Sequence, residues 1–315
     1  MRAPPFILVL LTSALVATAS HAAAYKPPRL SDGHPDLQGD WHNASITTLE
    51  RPMQYADRKA LTADEAAGIE AEFSDFASIG PSGPPEDGGA FNLGQGGDLD
   101  AFTTVMRVAG EPRTSLITST PDGRIPASRP RPPGPAPLSI EDMAANPETM
   151  APVERCVINA SANGWAVMLP GEYNNNFRIV QTNTHVSIMI QMANDVRIIR
   201  LGARHRTDGA RPWMGDSVAR WDGDTLVVET TNFPRAQAFF GAWEQLKVTE
   251  RFTRVAKDRL LYRFTVEDPT VWDKPWGGEY EFGRPRRAIE EYACHENDHT
   301  LQNALEAARY EEGAR

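Results

Sequence analysis

One short stretch of the chain, RPWMGDSVARWDGDTLVVETTNF (residues 211–233), carries acidic residues of the types and spacing that acid–base chemistry needs. It reads as two strands joined at Asp222-Gly223, a favoured two-residue hairpin turn. That register places Asp216 directly opposite Glu229 on one face of the hairpin. Two carboxylates at cross-strand distance destabilise a sheet unless a cation, a shared proton or an arginine lies between them.

Basic residues precede this pair in the chain, among them His205 and Arg211. A carboxylate pair with a basic loop beside it can transfer protons, and we predict that Asp216, Glu229 and His205 do so. The alternative is a structural pair at a strand end that an arginine bridges. Asp222 and its neighbour Asp224 are explained by the turn alone.

A second candidate is HENDH, residues 295–299, which has the H-E-x-x-H spacing that places two histidines around zinc on one helical turn. The context argues against this use, because His295 directly follows a strand ending in Cys294. Asn297 and Asp298 also resemble a helix cap more than the middle of a helix. We therefore predict no bound metal, and we keep His295 only as a further candidate for the acid–base set.

Aromatic and amide side chains in predicted loops suit stacking and hydrogen bonding to a small ring compound or sugar. The alternative for the tryptophans is a lid packed over the end of a barrel. Arg251 belongs to a stripe of polar side chains that alternate along the strand with apolar ones. This polar stripe either faces solvent or lines a ligand cavity. The predicted ligand-binding set is Tyr173, Asn175, Arg211, Trp213, Arg251, Trp272 and Trp276.

The second half of the chain supplies the elements that must position these residues. From Trp165 onward, short segments rich in Val, Ile, Phe, Tyr and Thr alternate with turn residues. We predict a mainly β fold in residues 161–315: an antiparallel meander closed as a lipocalin-like barrel, with a sandwich as the alternative. The final sequence, HTLQNALEAARYEE, predicts a short C-terminal helix.

Residues 25–160 are broken by Pro- and Gly-rich stretches that sustain neither a helix nor a central strand. One helix is predicted between them, at residues 61–78, where Thr62 and Glu65 have the spacing of a capping box. We interpret this part as an irregular arm that packs on the barrel and not as an independent domain.

Residues 1–24 have the positive start, apolar core and small-residue end of a removed signal peptide. No later segment is apolar for long enough to span a membrane. We therefore expect a periplasmic or secreted protein. The formal net charge of −10 and the lack of a basic patch exclude nucleic acid as the expected partner.

The chain has two cysteines, Cys156 and Cys294. In an oxidising compartment a distant pair is most simply a disulfide. The alternatives are two buried free thiols, or metal ligation by Cys294 together with His295.

Several long phrases occur together: PDLQGDW, RTSLITSTPDGRIP, YNNNFRIVQT, WMGDSVARWDGDTLVVETTNF and YACHEN. Over nearly the whole mature chain, the sequence resembles a widespread family of uncharacterised secreted bacterial proteins. The resemblance implies a secreted, β-rich protein and implies no reaction. Gly39-Asp40-Trp41 is also similar to the short Gly-x-Trp signature of lipocalins.

The function that these features favour is the handling of a small polar or aromatic molecule in a barrel pocket, without a cofactor. Carboxylate and histidine acid–base chemistry would make the protein a hydrolase or lyase. The alternatives are a non-catalytic, lipocalin-like protein that binds a small ligand, and a structural protein of the cell envelope.

Overall fold

The computed structural model describes residues 25–78, 103–130, 139–150, 154–157, 167–171, 174–296 and 298–314. The predicted signal peptide lies outside them. Nine strands form one sheet, and two short strands form a separate hairpin. The strands are β1 (Gly39–His42), β2 (Arg107–Val108), β3 (Glu111–Pro112), β4 (Asn176–Gln181), β5 (His185–Ile190), β6 (Val196–Leu201), β7 (Asp216–Asp222), β8 (Thr225–Thr231), β9 (Lys247–Arg254), β10 (Leu260–Glu267) and β11 (Trp276–Phe282).

The large sheet has the neighbour order β1-β4-β5-β6-β7-β8-β9-β10-β11 and curves into a nearly closed barrel. Its two edge strands meet at one bridge, where the backbones of His42 and Gly283 exchange two hydrogen bonds of 2.9 Å. The mainly β, barrel-like fold expected from the sequence is thus confirmed. The meander is not wholly antiparallel, however, because β6 and β7 pair in parallel.

The inward faces of the strands pack into one hydrophobic core. Period-two alternation explains which side chains point inward, as in β9, where Val248 and Phe252 are buried while Thr249 and Arg251 are partly exposed. Large side chains fill the interior, as is usual for a small barrel. The largest of those fully buried include Trp41, Tyr262, Tyr280, Phe177, Phe252 and Phe282.

The Gly-x-Trp sequence of β1 has a packing explanation. The guanidinium of Arg284 lies 3.7 Å from the ring centroid of Trp41 and donates to the Asp40 carbonyl at 3.0 Å. Gly39 has φ +117°, and a Cβ there would lie 2.5 Å from Arg284 Nη1. The positive φ therefore favours glycine at this position, and a Cβ there would also displace the Arg284 guanidinium.

The arm between β1 and β4 contains helix α1, Ala63–Ser78. Its predicted capping box is present: the Thr62 N–H donates to Glu65 Oε2 at 2.7 Å, and the Glu65 N–H donates to Thr62 Oγ1 at 3.2 Å. Farther along, residues 116–119 bind the free edge of β11. The Thr118 N–H donates to Gly277 O at 3.1 Å, so the arm completes the part of that edge that β1 leaves uncovered.

The C-terminal region is joined to a segment of the arm. The predicted disulfide between Cys156 and Cys294 is present, with a Cα–Cα distance of 5.7 Å, and neither cysteine is free. The same region contains two helices. They are α2 (Ile140–Ala144) and the predicted C-terminal helix α3 (Thr300–Ala314). Arg309 of α3 donates to the carbonyl of Ala145. In the described part of the chain, no helix is long and apolar enough to cross a membrane.

Candidate functional site

The parallel pairing of β6 and β7 creates the candidate site. Both strands run the same way, so residues 202–215 must carry the chain back along the barrel wall before β7 begins. This connection places His205 over Asp216, the first residue of β7. Gly215 makes the entry into β7 possible: it has φ +69°, and a Cβ there would lie 2.7 Å from the Phe233 ring.

The register of the β7–β8 hairpin differs from the expected one. Asp216 pairs with Thr231 and Glu229 with Val218, so the direct opposition of the two acids was wrong. The loop is Gly223-Asp224, not Asp222-Gly223, and only Gly223 has a positive φ, as a type II′ turn requires. A two-residue shift preserves the faces of both strands, and the two acids therefore remain on the same face, offset diagonally.

His205 fills the gap between the two acids. Its Nδ1 lies 3.1 Å from Asp216 Oδ2, and its Nε2 lies 3.1 Å from Glu229 Oε1. Ser217 and Thr230, which follow Asp216 and Glu229 in the chain, are buried and hydrogen-bonded to each other. Because successive side chains of a strand point to opposite faces, the cluster lies on the outer face of the barrel wall. The three predicted residues thus do lie together, through a bridge that the sequence did not indicate.

Asp216 is the buried end of this chain of contacts, with 5% of its surface exposed. Burial opposes its ionisation, but the Arg206 N–H, His205 and Arg200 outweigh burial and lower the pKa of Asp216 below 3.8. The Arg206 N–H donates to Asp216 Oδ2 at 2.7 Å, and Arg200 Nη2 donates to Asp216 Oδ1 at 2.7 Å. Asp216 is therefore a carboxylate at neutral pH.

The two hydrogen bonds of His205 to carboxylates need two protons in the cluster. An ionised carboxylate only accepts hydrogen bonds, so the Nδ1 of His205 must carry a proton for Asp216. On the other side, a second proton is needed for the contact between His205 Nε2 and Glu229, whichever of the two groups holds it.

The contact between His205 and Glu229 lies at the open end of the cluster. About a third of the Glu229 side chain and a quarter of the His205 side chain are exposed. Lys247 Nζ lies 3.9 Å from Glu229 Oε2 and 2.8 Å from Glu267 Oε2. We call this end of the strands, where the cluster and Lys247 lie, the rim. Glu267 and Glu229 together raise the pKa of Lys247, with the Glu267 hydrogen bond the larger cause.

A second polar cluster lies inside the barrel, and the sequence interpretation missed it. Arg197 of β6 and Glu250 of β9 form an ion pair of 2.8 Å with almost no exposure. The Tyr262 hydroxyl donates to Glu250 at 2.9 Å, and the Met168 N–H donates to that hydroxyl. The Tyr280 hydroxyl donates to the Met168 carbonyl.

Burial raises the pKa of Glu250, and the nearby Arg197 charge and Tyr262 hydroxyl counteract it. Burial likewise raises the pKa of both Tyr262 and Tyr280 well above 10. The sequence did hold a signal, because Glu250 is in phase with the apolar Val248 and Phe252 of β9. An acid on the apolar face of a strand predicts a buried partner.

The predicted ligand-binding residues do not form one surface. Arg211 donates to the carbonyls of Phe233 and Glu244, so it ties the β6–β7 connection to the loop that follows β8. Trp213 in the same connection is half exposed. Arg251 lies on the outer face and pairs at 2.7 Å with Asp222, at the opposite end of β7 from Asp216.

The other members of that set are mostly internal. Trp272 and Trp276 are buried, so the expectation of exposed stacking rings was wrong and the packed alternative holds. Asn175 is also fully buried, and its amide binds the backbone of Gly171. Tyr173 lies outside the described residues.

His295 does not join the acid–base cluster. It is exposed in a turn directly after the disulfide, and helix α3 begins only at Thr300, which Asp298 caps through the Thr300 N–H at 2.9 Å. The two histidines of HENDH therefore do not share a helical turn. Elsewhere in the described chain, the one grouping of potential metal ligands contains both disulfide sulfurs, which are not thiolates.

No protein-family model matches the sequence, and no curated protein is similar to it. The candidate site therefore stands on its own geometry.

Proposed function

We propose that this is an exported protein that acts on a small polar molecule at the outer rim of the barrel by general acid–base chemistry of the hydrolase or lyase type. The observation that carries the proposal is the pair of carboxylate contacts on His205, one buried and one open to solvent. This arrangement fixes the ring from behind and leaves a proton at its accessible side.

Each of the three residues has a distinct role in this proposal. Asp216 is the positioning residue, because it holds the His205 ring and keeps a proton on Nδ1. His205 and Glu229 are the proposed catalytic residues, since the proton between them can pass to a substrate and return. Lys247 would support an anionic group near Glu229.

The location differs from the pocket inside the barrel that the sequence favoured. The interior is filled by core side chains, whereas the cluster lies on the wall, at the end of the strands. The disulfide supports the proposed export, because disulfides persist in oxidising compartments.

The proposal is tested with 4-nitrophenyl esters, glycosides and phosphates as probes across pH 4–9. We expect the native protein to turn over one of these classes and Glu229→Gln to lower kcat by about 10²–10⁴, the usual contribution of a general acid or base. Glu267→Gln is the matched control, since this acid also contacts Lys247 but not His205. Its kcat should stay within about threefold of the native value.

Two results would count against catalysis. Equal turnover by Glu229→Gln and the native protein would remove Glu229 from the reaction. Binding of a probe that is unchanged in Glu229→Gln, without turnover by either protein, would favour the non-catalytic binding protein.

A further inference from the structure

Four aliphatic side chains lie exposed on the outer wall of the barrel, across β4, β5 and β6. Val180, Val196 and Ile198 are 45%, 49% and 53% exposed, and Met189 is partly exposed. We call these four residues the wall patch. The outward positions of an antiparallel sheet that faces water are normally polar. Apolar residues exposed singly are ordinary, whereas a contiguous group of them marks a binding surface.

The strand register brings the members of the wall patch together. Ile198 pairs with Ser187, which pairs in turn with Val180. Val196 pairs with Met189 in the neighbouring outward row. Adjacent strands are about 4.8 Å apart, and outward residues of one strand are two positions apart, so these side chains adjoin one another.

The pattern of β6 is inverted where the wall patch lies. Val196 and Ile198 point outward, whereas Arg197 between them points inward to its ion pair with Glu250. A shift of one residue would place both aliphatic side chains in the core and Arg197 in water. The exposed apolar surface is therefore fixed by the buried ion pair.

The wall patch begins beside the rim cluster of His205, Asp216 and Glu229. In the parallel ladder of β6 and β7, Ile199 pairs with Ser217, so Ile198 is level with Asp216 on the outer face. Arg200, the next outward residue of β6, donates to Asp216 at 2.7 Å. One strand spacing therefore separates the wall patch from the buried end of the cluster.

The surface on the other side of the cluster is polar. Glu229 pairs with Thr249, and Thr249 pairs with Thr265, on the outward faces of β9 and β10. Lys247 lies in the same direction, with its Nζ 3.9 Å from Glu229 Oε2. A molecule bound at the cluster thus meets polar groups toward β9 and apolar groups toward β6.

We propose that the substrate of the rim cluster is amphipathic, with a polar reacting group at His205 and Glu229 and an alkyl or acyl chain over the wall patch. This inference rests on the proposed function and adds a substrate class to it. From β7 to Val180 on β4 there are three strand spacings, about 14 Å, which suits a chain of octyl or decyl length. Contact with the patch removes apolar surface of both the chain and the wall from water.

Two larger occupants fit the wall patch less well. Four partly exposed aliphatic side chains offer much less than the roughly 800 Å² per partner of a standard protein interface, so a second copy of this chain would bury little here. The anionic surface of a membrane repels a chain with a formal net charge of −10.

Binding is tested first without turnover, with octanoate as the probe and acetate as its short-chain counterpart. We expect octanoate to shift the methyl NMR signals of Val180, Val196 and Ile198 in a saturable way, and acetate at the same concentration to leave them unchanged. The double variant Val180→Thr/Ile198→Thr keeps β-branched side chains and should bind octanoate about fivefold more weakly. Met53→Thr, at an exposed apolar residue of the arm, should bind octanoate like the native protein.

Turnover is then compared for 4-nitrophenyl octanoate and 4-nitrophenyl acetate. The native protein should have the higher kcat/KM for the octanoate ester. The double variant should reduce this preference about fivefold, mainly through KM, because it removes binding that is uniform along the reaction. Both substitutions are at exposed positions, so the variant should keep the Tm of the native protein within a few degrees.

The two measurements separate the failure of this inference from the failure of the proposed catalysis. Without a saturable octanoate shift at the wall patch the inference is wrong, whatever Glu229→Gln does to turnover. A native dimer that the double variant converts to a monomer would also overturn it, since the patch would then be a subunit interface. Octanoate binding at the patch together with equal turnover by Glu229→Gln and the native protein would instead remove the catalysis and retain the chain-binding surface.

Discussion

The rim cluster (His205, Asp216 and Glu229) and the interior cluster (Arg197, Glu250, Tyr262 and Tyr280) use similar chemistry in opposite settings. At the rim the outer carboxylate is about one-third exposed, whereas Glu250 has no exposure. Both carboxylates of the rim cluster contact the imidazole ring of His205, and an imidazole can carry either one or two protons. The interior instead pairs a carboxylate with an arginine that always keeps its charge.

This difference separates proton transfer from structural pairing. A group transfers protons to a substrate only where the substrate and water can reach it, which the rim allows and the interior does not. The interior cluster instead fixes Met168 within the barrel through both tyrosine hydroxyls. We therefore expect changes to the interior to cost stability, and a change to the exposed Glu229 of the rim to cost mostly activity.

The largest expected effect is at the interior ion pair. Arg197→Met should destabilise the protein by about 3–5 kcal/mol, because it leaves Glu250 buried without its charged partner. Chemical denaturation measures the loss. The double variant Arg197→Met/Glu250→Leu should recover most of it, and a single variant as stable as the native protein would show that the pair is not sealed from water.

A smaller effect is expected at Tyr262. Tyr262→Phe removes the hydroxyl that donates to Glu250 and accepts from Met168, which should cost about 1–3 kcal/mol for buried groups left unsatisfied. Tyr310→Phe, at an exposed position of α3, is the control and should cost clearly less. An equal effect of both changes would argue against the hydrogen-bonded interior.

At the rim, Asp216→Asn should cost about 1.5–3 kcal/mol at pH 7, as hydrogen bonds to a charged group do. The pKa of Asp216 is lowered in the folded protein, so this stabilisation is present above pH 3.8 and is lost as pH falls through the lower folded-state value. Stability curves of both proteins should therefore converge in acid. A difference that grows below pH 4 would contradict the assigned ionised state.

The smallest effect is expected for the exposed lysine of the rim. Lys247→Met should change stability by less than about 1 kcal/mol, because solvent screens its ion pair with Glu267. Under the proposed function it should nevertheless raise the KM for an anionic probe, and 0.5 M salt should reduce the difference. An unchanged KM for every active probe would remove Lys247 from the binding of substrate.

The sequence predicted elements better than it predicted their connection. The capping box of α1, the disulfide and the alternating strands follow local rules, and each is present. The hairpin register shifted by two residues because Gly223 took the first central position of the turn. The faces survived this shift, which explains why Asp216 and Glu229 were still grouped correctly.

The bridging position of His205 did not follow from local pattern. It depends on the parallel pairing of β6 and β7, and the intervening residues show no helix or other sign of a crossover. The interior pair could have been found, since Arg197 alternates in phase with Ile199 just as Glu250 does with its apolar neighbours. The pairing of residues across a barrel depends on the curvature of the sheet, so the pattern of a single strand does not predict it.

The most direct test of the central claim is a measurement of the His205 ring by ¹⁵N NMR at neutral pH, with the signal assigned from His205→Gln. We expect a proton on Nδ1 that Asp216→Asn perturbs, and a hydrogen bond at Nε2 that changes the ¹⁵N signal of this atom in Glu229→Gln. A bare Nδ1, or an Nε2 signal that is the same in Glu229→Gln as in the native protein, would contradict the proposed proton site at the rim.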